Sequence, residues 1–163
     1  MTAMTLAPSG VVIRVAGQAD SGALAHLRAL WSGDSDEDPE FESRMAGWLA
    51  AEGARRTTWL AAVADRPVGM ASLFEYRRMP KPGRADSRWG YVSNVFVRDD
   101  HRRRGIGSAL LAAVIAAADE RSYARLVVSP SRSALSLYRR GGFVVPGEAA
   151  GADALLVRPG PGT

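Results

Sequence analysis

Apolar positions along the chain change their period several times, and each change marks a boundary between elements. Residues 11–15 read as a short strand. From 19 to 31, the apolar residues Ala23, Leu24, Leu27, Leu30 and Trp31 recur at spacings of three and four, which predicts a helix with Asp20 as its N-cap. An acidic break over 34–40 leads to a second helix over 39–52, with Pro39 suited to its first turn. After Gly53 the pattern favours strands: 57–64, then 68–76 after a turn at Asp65, Arg66 and Pro67. A loop over 77–88, rich in Pro, Gly and Arg, separates these from a third run of β-formers over 89–97. Helix follows over 107–121, then strand over 125–128 and helix over 133–140, ended by Gly141 and Gly142. Residues 143–145 and 154–157 are expected to be the last two strands, with 1–10 and 159–163 as loose tails. This order is not a regular alternation of βα units. It predicts a mixed α/β sheet, mostly antiparallel, with helices on its faces.

Composition narrows the chemistry. The 163 residues suit one domain, and 47% hydrophobic against 23% charged residues fits a globular protein rather than a disordered one. Cysteine is absent, which excludes a thiol nucleophile and cysteine zinc sites, and His26 and His101 are too few and too far apart for a histidine metal site. No secretory signal is evident in 1–10, and the apolar stretch 105–118 is shorter than the roughly 20 residues that span a bilayer. A cytoplasmic protein is the expectation. The net charge of +4 comes almost wholly from arginine, Lys81 being the one lysine. Exposed aromatics are not interleaved with these arginines, which argues against a nucleic-acid surface.

The segment from Val95 through Phe96 and Val97 to Leu110 carries the most chemistry. A strand ends, a charged turn follows with Arg102, Arg103 and Arg104, and Gly105 and Gly107 flank Ile106 at the start of a long helix. Amides at a helix N-terminus point outward with partial positive charge and hold phosphate well, and glycine removes the Cβ that would keep a pyrophosphate away. A nucleotide P-loop needs a lysine after its last glycine, but Ser108 follows Gly107 directly. A dinucleotide fingerprint needs a third glycine, where Leu110 stands. A capped helix behind a solvated arginine turn remains open on these residues alone.

Arg102 to Gly107 resembles the Arg/Gln-x-x-Gly-x-Gly/Ala motif of the Gcn5-related N-acetyltransferase (GNAT) family. A second match runs from Leu126-Val127-Val128-Ser129-Pro130 to Leu137-Tyr138-Arg139-Arg140-Gly141-Gly142-Phe143, similar to that family's later strand, short helix, Leu-Tyr and Gly-Phe. The element order agrees over nearly the whole chain. The resemblance implies the GNAT fold and transfer of an acetyl group from acetyl-CoA to an amine. It implies that turn amides, with Arg102, Arg103, Arg104, Gly105, Ile106, Gly107 and Ser108, bind the pyrophosphate, and that Val95, Phe96 and Val97 offer backbone groups to the pantetheine and thioester. Tyr138 would then protonate or hydrogen-bond the departing sulfur; its alternative is a helix-face aromatic packed beside Leu135 and Leu137.

Ser131 and Ser133 stand where the family often has an asparagine touching coenzyme A, and they also suit a turn and helix cap. Glu75 is the best-placed acid for a general base, with an exposed strand-end carboxylate as its alternative; Ser93 and Asn94 are the polar residues of the 89–97 strand. Asp99 and Asp100 are expected to shape the turn after that strand. Asp34, Asp36, Glu37, Asp38, Glu40 and Glu42 form an acidic group that either recruits a cationic acceptor or is simply solvated. Trp31, Phe41 and Trp48 are either an aromatic wall or ordinary core. The implied partner is a small-molecule amine, with a peptide or lysine acceptor and a non-catalytic acyl-CoA-binding module as other readings. Neither nucleic acid, membrane nor metal is expected, and a homodimer is allowed.

Overall fold

A computed structural model describes residues 7–33, 38–146 and 155–161. Six strands, β1 (Val11–Val15), β2 (Arg56–Val63), β3 (Arg66–Arg77), β4 (Arg88–Val97), β5 (Arg125–Val128) and β6 (Leu156–Pro159), form one sheet in sequence order. All neighbouring pairs are antiparallel except β4 with β5. Helices α1 (Ser21–Ser32) and α2 (Phe41–Glu52) precede β2; α3 (Ile106–Glu120) and α4 (Leu135–Arg140) flank β5. The mixed α/β sheet expected from the sequence is therefore the observed one. Among the described residues no helix is long and apolar enough to cross a membrane.

The sheet separates two cores. Leu73, Val92, Leu126 and Val128 meet α3 through Leu110, Leu111 and Val114 on one face. On the other, Leu60, Met70 and Phe96 meet Leu24 and Leu27 of α1. Gly90 is obligatory in the first core: a Cβ there would lie 2.6 Å from Leu73 Cδ1 and 2.7 Å from Leu126 Cδ2.

Four local expectations change. Asp20 precedes α1 but does not cap it with its side chain. Its carboxylate instead accepts from Gly17 N at 2.7 Å and from Arg14 at 2.7 and 2.8 Å. The β2–β3 turn lies at Ala64 and Asp65, both at left-handed φ (46° and 61°), the backbone that matches strand twist in a two-residue hairpin. Arg66 and Pro67 therefore begin β3, where Pro67 sits at a register shift that tolerates its missing N–H. The strand expected over 143–145 shrinks to one bridge between Val144 and Val157. The last strand runs two residues further than expected: Pro159, placed in a tail from sequence, ends β6 opposite Arg125. Ala154 lies outside the described residues.

Candidate active site

Strand β4 is irregular where chemistry is expected. Met70 pairs with Phe96 and Ser72 with Ser93, so two residues of β4, Asn94 and Val95, oppose Ala71 alone. This is a β-bulge, with Asn94 at φ 53°. Left-handed backbone is costly for most residues, and Asn is among the few that visit it. The bulge also breaks the alternation of the strand. Tyr91, Ser93 and Asn94 all line cavities on the face that carries α1 and α2, and Phe96 returns to that side.

Beyond the bulge β4 loses its parallel neighbour. The β4–β5 ladder has rungs at Gly90, Tyr91 and Val92, opposite Leu126, Val127 and Val128, and there β5 ends. From Ser93 to Val97 the β5-facing edge has no strand partner among the described residues. Backbone groups on the β5 side of this segment, those of Val95 above all, are thus open to an extended ligand, while Val97 O is taken by Arg102.

That open edge leads to the glycine turn. Gly105 stands at φ 78° as the residue preceding α3, and its carbonyl accepts Ala109 N at 3.0 Å. Arg102 is tied back to the protein, by Nε to Val97 O at 3.1 Å, an ion pair with Asp99 at 2.8 Å and a position over the Phe96 ring. Arg103 and Arg104 are exposed and make no ion pair among the described residues, so two mobile guanidiniums stand at the helix N-terminus. Ile106 is 1% exposed, which leaves only its backbone for a ligand. Ser108 is exposed one residue further. A Cβ on Gly107 would meet Leu137 Cδ2 and Val97 Cγ2 at 3.8 Å, so this glycine faces the space between the end of β4 and α4. Asp100 shapes the turn as expected, holding Arg98 at 3.1 Å and His101 at 2.9 Å; both bonds keep its carboxyl well below the usual range.

Tyr138 lies on α4, 4% exposed, with its ring edge-on to Phe143 at 5.5 Å. Burial, with the nearby Tyr91 phenol, pushes its pKa up to about 12. Tyr91 belongs to the last rungs of the β4–β5 ladder, and Tyr138 belongs to the core cluster that also holds Leu126, Val128 and Phe143. Its hydroxyl makes no hydrogen bond among the described residues. Ser131 and Ser133 are exposed before α4 and bond to each other at 3.1 Å.

Glu75 is not brought to this site. Phe74 and Tyr76 line the cavity face, so the alternation of β3 points Glu75 to the α3 face. There its carboxylate accepts from Tyr123 Oη at 2.7 Å, Arg77 Nε at 2.8 Å and Arg88 at 3.4 Å. Burial opposes its ionisation, but these bonds prevail and lower its pKa. A carboxylate so engaged is a poor proton acceptor at neutral pH.

Sequence reasoning named Phe41, Trp48, Ser93 and Asn94 but missed the other residues around the cavities, the arginines above all. One cavity of about 400 Å³ lies between the sheet and α1 and α2, lined by Phe41, Met45, Trp48, Met70, Asn94 and the arginines Arg28 and Arg44, among others. A second, of about 410 Å³, shares Trp48 and Asn94 and runs over Arg56, Phe74, Tyr76, Trp89 and Tyr91. Phe41 and Trp48 form the aromatic wall, whereas Trp31 stacks on Phe96 at 5.9 Å. Arg56 sits 5.1 Å from both the Trp48 and Phe74 rings and donates to Ser93 Oγ at 3.3 Å. Thr58 and Ser72, which also line the first cavity, satisfy each other at 2.9 Å. Of the acids expected to recruit a cation, the described Asp38, Glu40 and Glu42 line neither cavity: Asp38 pairs with Arg44, and Glu42 lies against Gly22. Asp34, Asp36 and Glu37 fall outside the described residues.

Known structures share this architecture. An acetyltransferase of the GNAT family from Streptococcus pneumoniae superposes with a TM-score of 0.71 at 20% identity, covering 92% of this chain and 99% of that one. A predicted acetyltransferase from Clostridium acetobutylicum, solved with acetyl-CoA, gives 0.68 at 18% identity over 86% and 94%. The PaiA N-acetyltransferase of Thermoplasma acidophilum, in complex with coenzyme A, gives 0.66 at 14% identity over 91% and 98%. At such identities the likeness speaks for the fold alone. No curated protein matches the sequence significantly. The sequence from residue 23 to 143, most of the chain, matches the acetyltransferase (GNAT) family, and the chain belongs to that family.

Proposed function

We propose that this protein transfers an acetyl group from acetyl-CoA to the primary amine of a small molecule. The observation that carries the reading is the continuity of the site. An unpaired edge of β4 runs back from the glycine turn to the end of β5, and a half-open cavity reaches the bulge at Asn94. Acetyl-CoA fits the chemistry present. Amides at the start of α3, with Arg103 and Arg104, suit a pyrophosphate, and the β4 edge suits the amides of a pantetheine arm. The Clostridium and Thermoplasma proteins of this fold were solved with acetyl-CoA and with coenzyme A respectively.

Bound there, the cosubstrate supplies an activated thioester. The chain must then deliver a neutral amine, polarise the carbonyl and stabilise the departing sulfur. An alkylamine of pKa near 10.4 is mostly protonated at pH 7, a deficit of roughly 3 units or about 4–5 kcal/mol. Among the described residues the walls of these two cavities hold no carboxylate to take that proton, so a water held by Ser93, Asn94 and Ser72 is the carrier we assign. The bulge turns a backbone amide of β4 toward the β5 side, where it polarises the carbonyl. As the carbon–sulfur bond breaks, the Tyr138 hydroxyl donates a hydrogen bond to the departing thiolate, and the proton on the nitrogen of the tetrahedral intermediate leaves through the water, giving the amide, the coenzyme A thiolate and a proton released to solvent. A cavity of about 400 Å³ is of the size that encloses small ligands and favours a small acceptor over a peptide lying in an open groove.

The test is direct because the chain contains no cysteine. A thiol reagent therefore reports only released coenzyme A. Acetyl-CoA should bind in calorimetry, and thiol release should rise above the hydrolytic background when a panel of amines is added. Absence of acetyl-CoA binding by the folded protein would refute the reading. Binding without amine-dependent release from any amine would favour the non-catalytic acyl-CoA-binding module.

A further inference from the structure

We propose that the acceptor is an amine that also carries a carboxylate on an apolar body, such as an apolar α-amino acid, with the carboxylate held by Arg28 at the mouth of the α1–α2 cavity. This deepens the acetyl-transfer reading and rests on it. Residues facing the cavity are cationic or uncharged: Arg28 and Arg44 stand at its mouth, and Met45, Trp48 and Met70 give it an apolar floor. The two arginines differ in what they already hold. Arg44 is paired with Asp38 and lies over Phe41. Arg28 lies 5.0 Å from the Trp31 ring and has no carboxylate partner among the described residues. A guanidinium beside an aromatic ring, with no carboxylate partner, keeps its N–H donors available for a bidentate carboxylate.

Charge also bears on the nucleophile. Among the described residues no acid lines either cavity, and Arg44 and Arg56 are already paired with Asp38 and Glu52, so Arg28 is the guanidinium a polycation would meet uncompensated. The same positive lining disfavours the ammonium form of a bound amine and so promotes the neutral form that attacks. A carboxylate on the acceptor reverses the electrostatics of entry while leaving that effect on the amine. The apolar body would occupy the floor against Trp48 and Met70, with the amine at Asn94.

The experiment compares L-phenylalanine, L-leucine and L-methionine with their amides, with phenethylamine and with spermidine, as acceptors in the thiol-release assay and as ligands by calorimetry with coenzyme A present. Free amino acids should exceed their amides and phenethylamine by about 10- to 100-fold in kcat/KM, the range of one charge-assisted bidentate contact. Arg28→Gln should raise KM for the amino acid with little change in kcat and should not raise KM for phenethylamine, and Arg28→Lys should recover part of the loss. Spermidine as the preferred acceptor, or equal use of amino acid and amide, would overturn the inference. If no amine is acetylated, calorimetry still decides: binding that requires the carboxylate and Arg28 supports the site while the catalytic reading fails. Binding indifferent to the carboxylate sinks the site whatever the catalytic result.

Discussion

Replacing Tyr138 by Phe removes one oxygen atom from α4. The hydroxyl makes no hydrogen bond among the described residues, and the ring packs edge-on to Phe143, a contact that Phe at 138 retains. Losing a hydroxyl that makes no hydrogen bond within the protein leaves no orphaned group behind, so thermal stability at pH 7 should shift by less than about 1 kcal/mol. The kinetic effect is set by the acidity of the phenol. With its pKa raised to about 12, Tyr138 keeps its proton throughout the working range and acts only as a donor. Against a thiol of pKa about 8.5, full proton transfer from such a phenol is uphill by roughly 3–4 units, so its contribution is a hydrogen bond that strengthens as charge grows on sulfur. The expected loss in kcat is therefore about 100-fold, the lower end of general acid catalysis, or about 2.7 kcal/mol. Thiol release under saturating acetyl-CoA measures it. The same variant has an alkaline signature. A group whose pKa rises on folding contributes stability that is complete below its unfolded value of 10 and is lost as pH rises through 12. Urea unfolding of wild type should fall relative to the variant by about 2–3 kcal/mol across that window. A kcat within twofold of wild type, together with that alkaline difference, would show a buried structural tyrosine and refute the donor role.

Other expectations are simpler. Gly107→Ala should bind acetyl-CoA normally, since its Cβ would meet Leu137 and Val97 at an ordinary 3.8 Å, whereas Gly107→Trp should abolish binding in calorimetry while the protein stays folded by circular dichroism. Gly90→Ala should lose about 1–3 kcal/mol in urea unfolding, because the added methyl would lie 2.6 Å from Leu73 Cδ1. Asp20, held at about pKa 2 first by its bonds to Arg14, contributes stability present above pH 4 and lost as pH falls through 2. Exposure of Arg14 limits that contribution to about 1 kcal/mol, so Asp20→Asn should be less stable than wild type at pH 7 and equal to it near pH 2.

Much of the fold was legible because periodicity records burial. The α3 stripe of Ile106, Leu110 and Val114 and the strand run of β5 both lie where their spacing placed them. The turn at Gly105 and Gly107 was legible too, since left-handed backbone and close approach have few residues to choose from. Other features follow from pairing that sequence does not display. Val144 looks like a strand residue, yet only one bridge forms, and Pro159 looks like a tail residue, yet its lack of an N–H is harmless on the edge strand β6. The bulge at Asn94 depends on how β3 lies against β4, which local composition does not encode. The arginines of the cavity were hidden for a similar reason. Arg28, Arg44 and Arg56 come from two helices and a strand, and their convergence is a property of packing. Charge density along the chain pointed instead to the acids, which the described part of the structure sets against arginine or beside Gly22.

The three-rung seam between β4 and β5 divides the molecule mechanically. Backbone hydrogen bonds knit β1 to β4 on one side and β5 to β6 on the other, and among the described residues the short parallel ladder at Gly90, Tyr91 and Val92, with the bond from Ala124 N to Arg88 O at its start, stitches the two across the sheet. Such a seam is a natural boundary between units that open independently in amide exchange. Amides of Val95 and Val97 on the unpaired edge should exchange quickly in the free protein, and those of Leu126 to Val128 should exchange ahead of the β2–β3 ladder. A ligand lying along that edge would act as a missing strand. Protection should then rise on both sides of the seam together, so that donor occupancy is written in the exchange pattern of residues that never touch the acyl group.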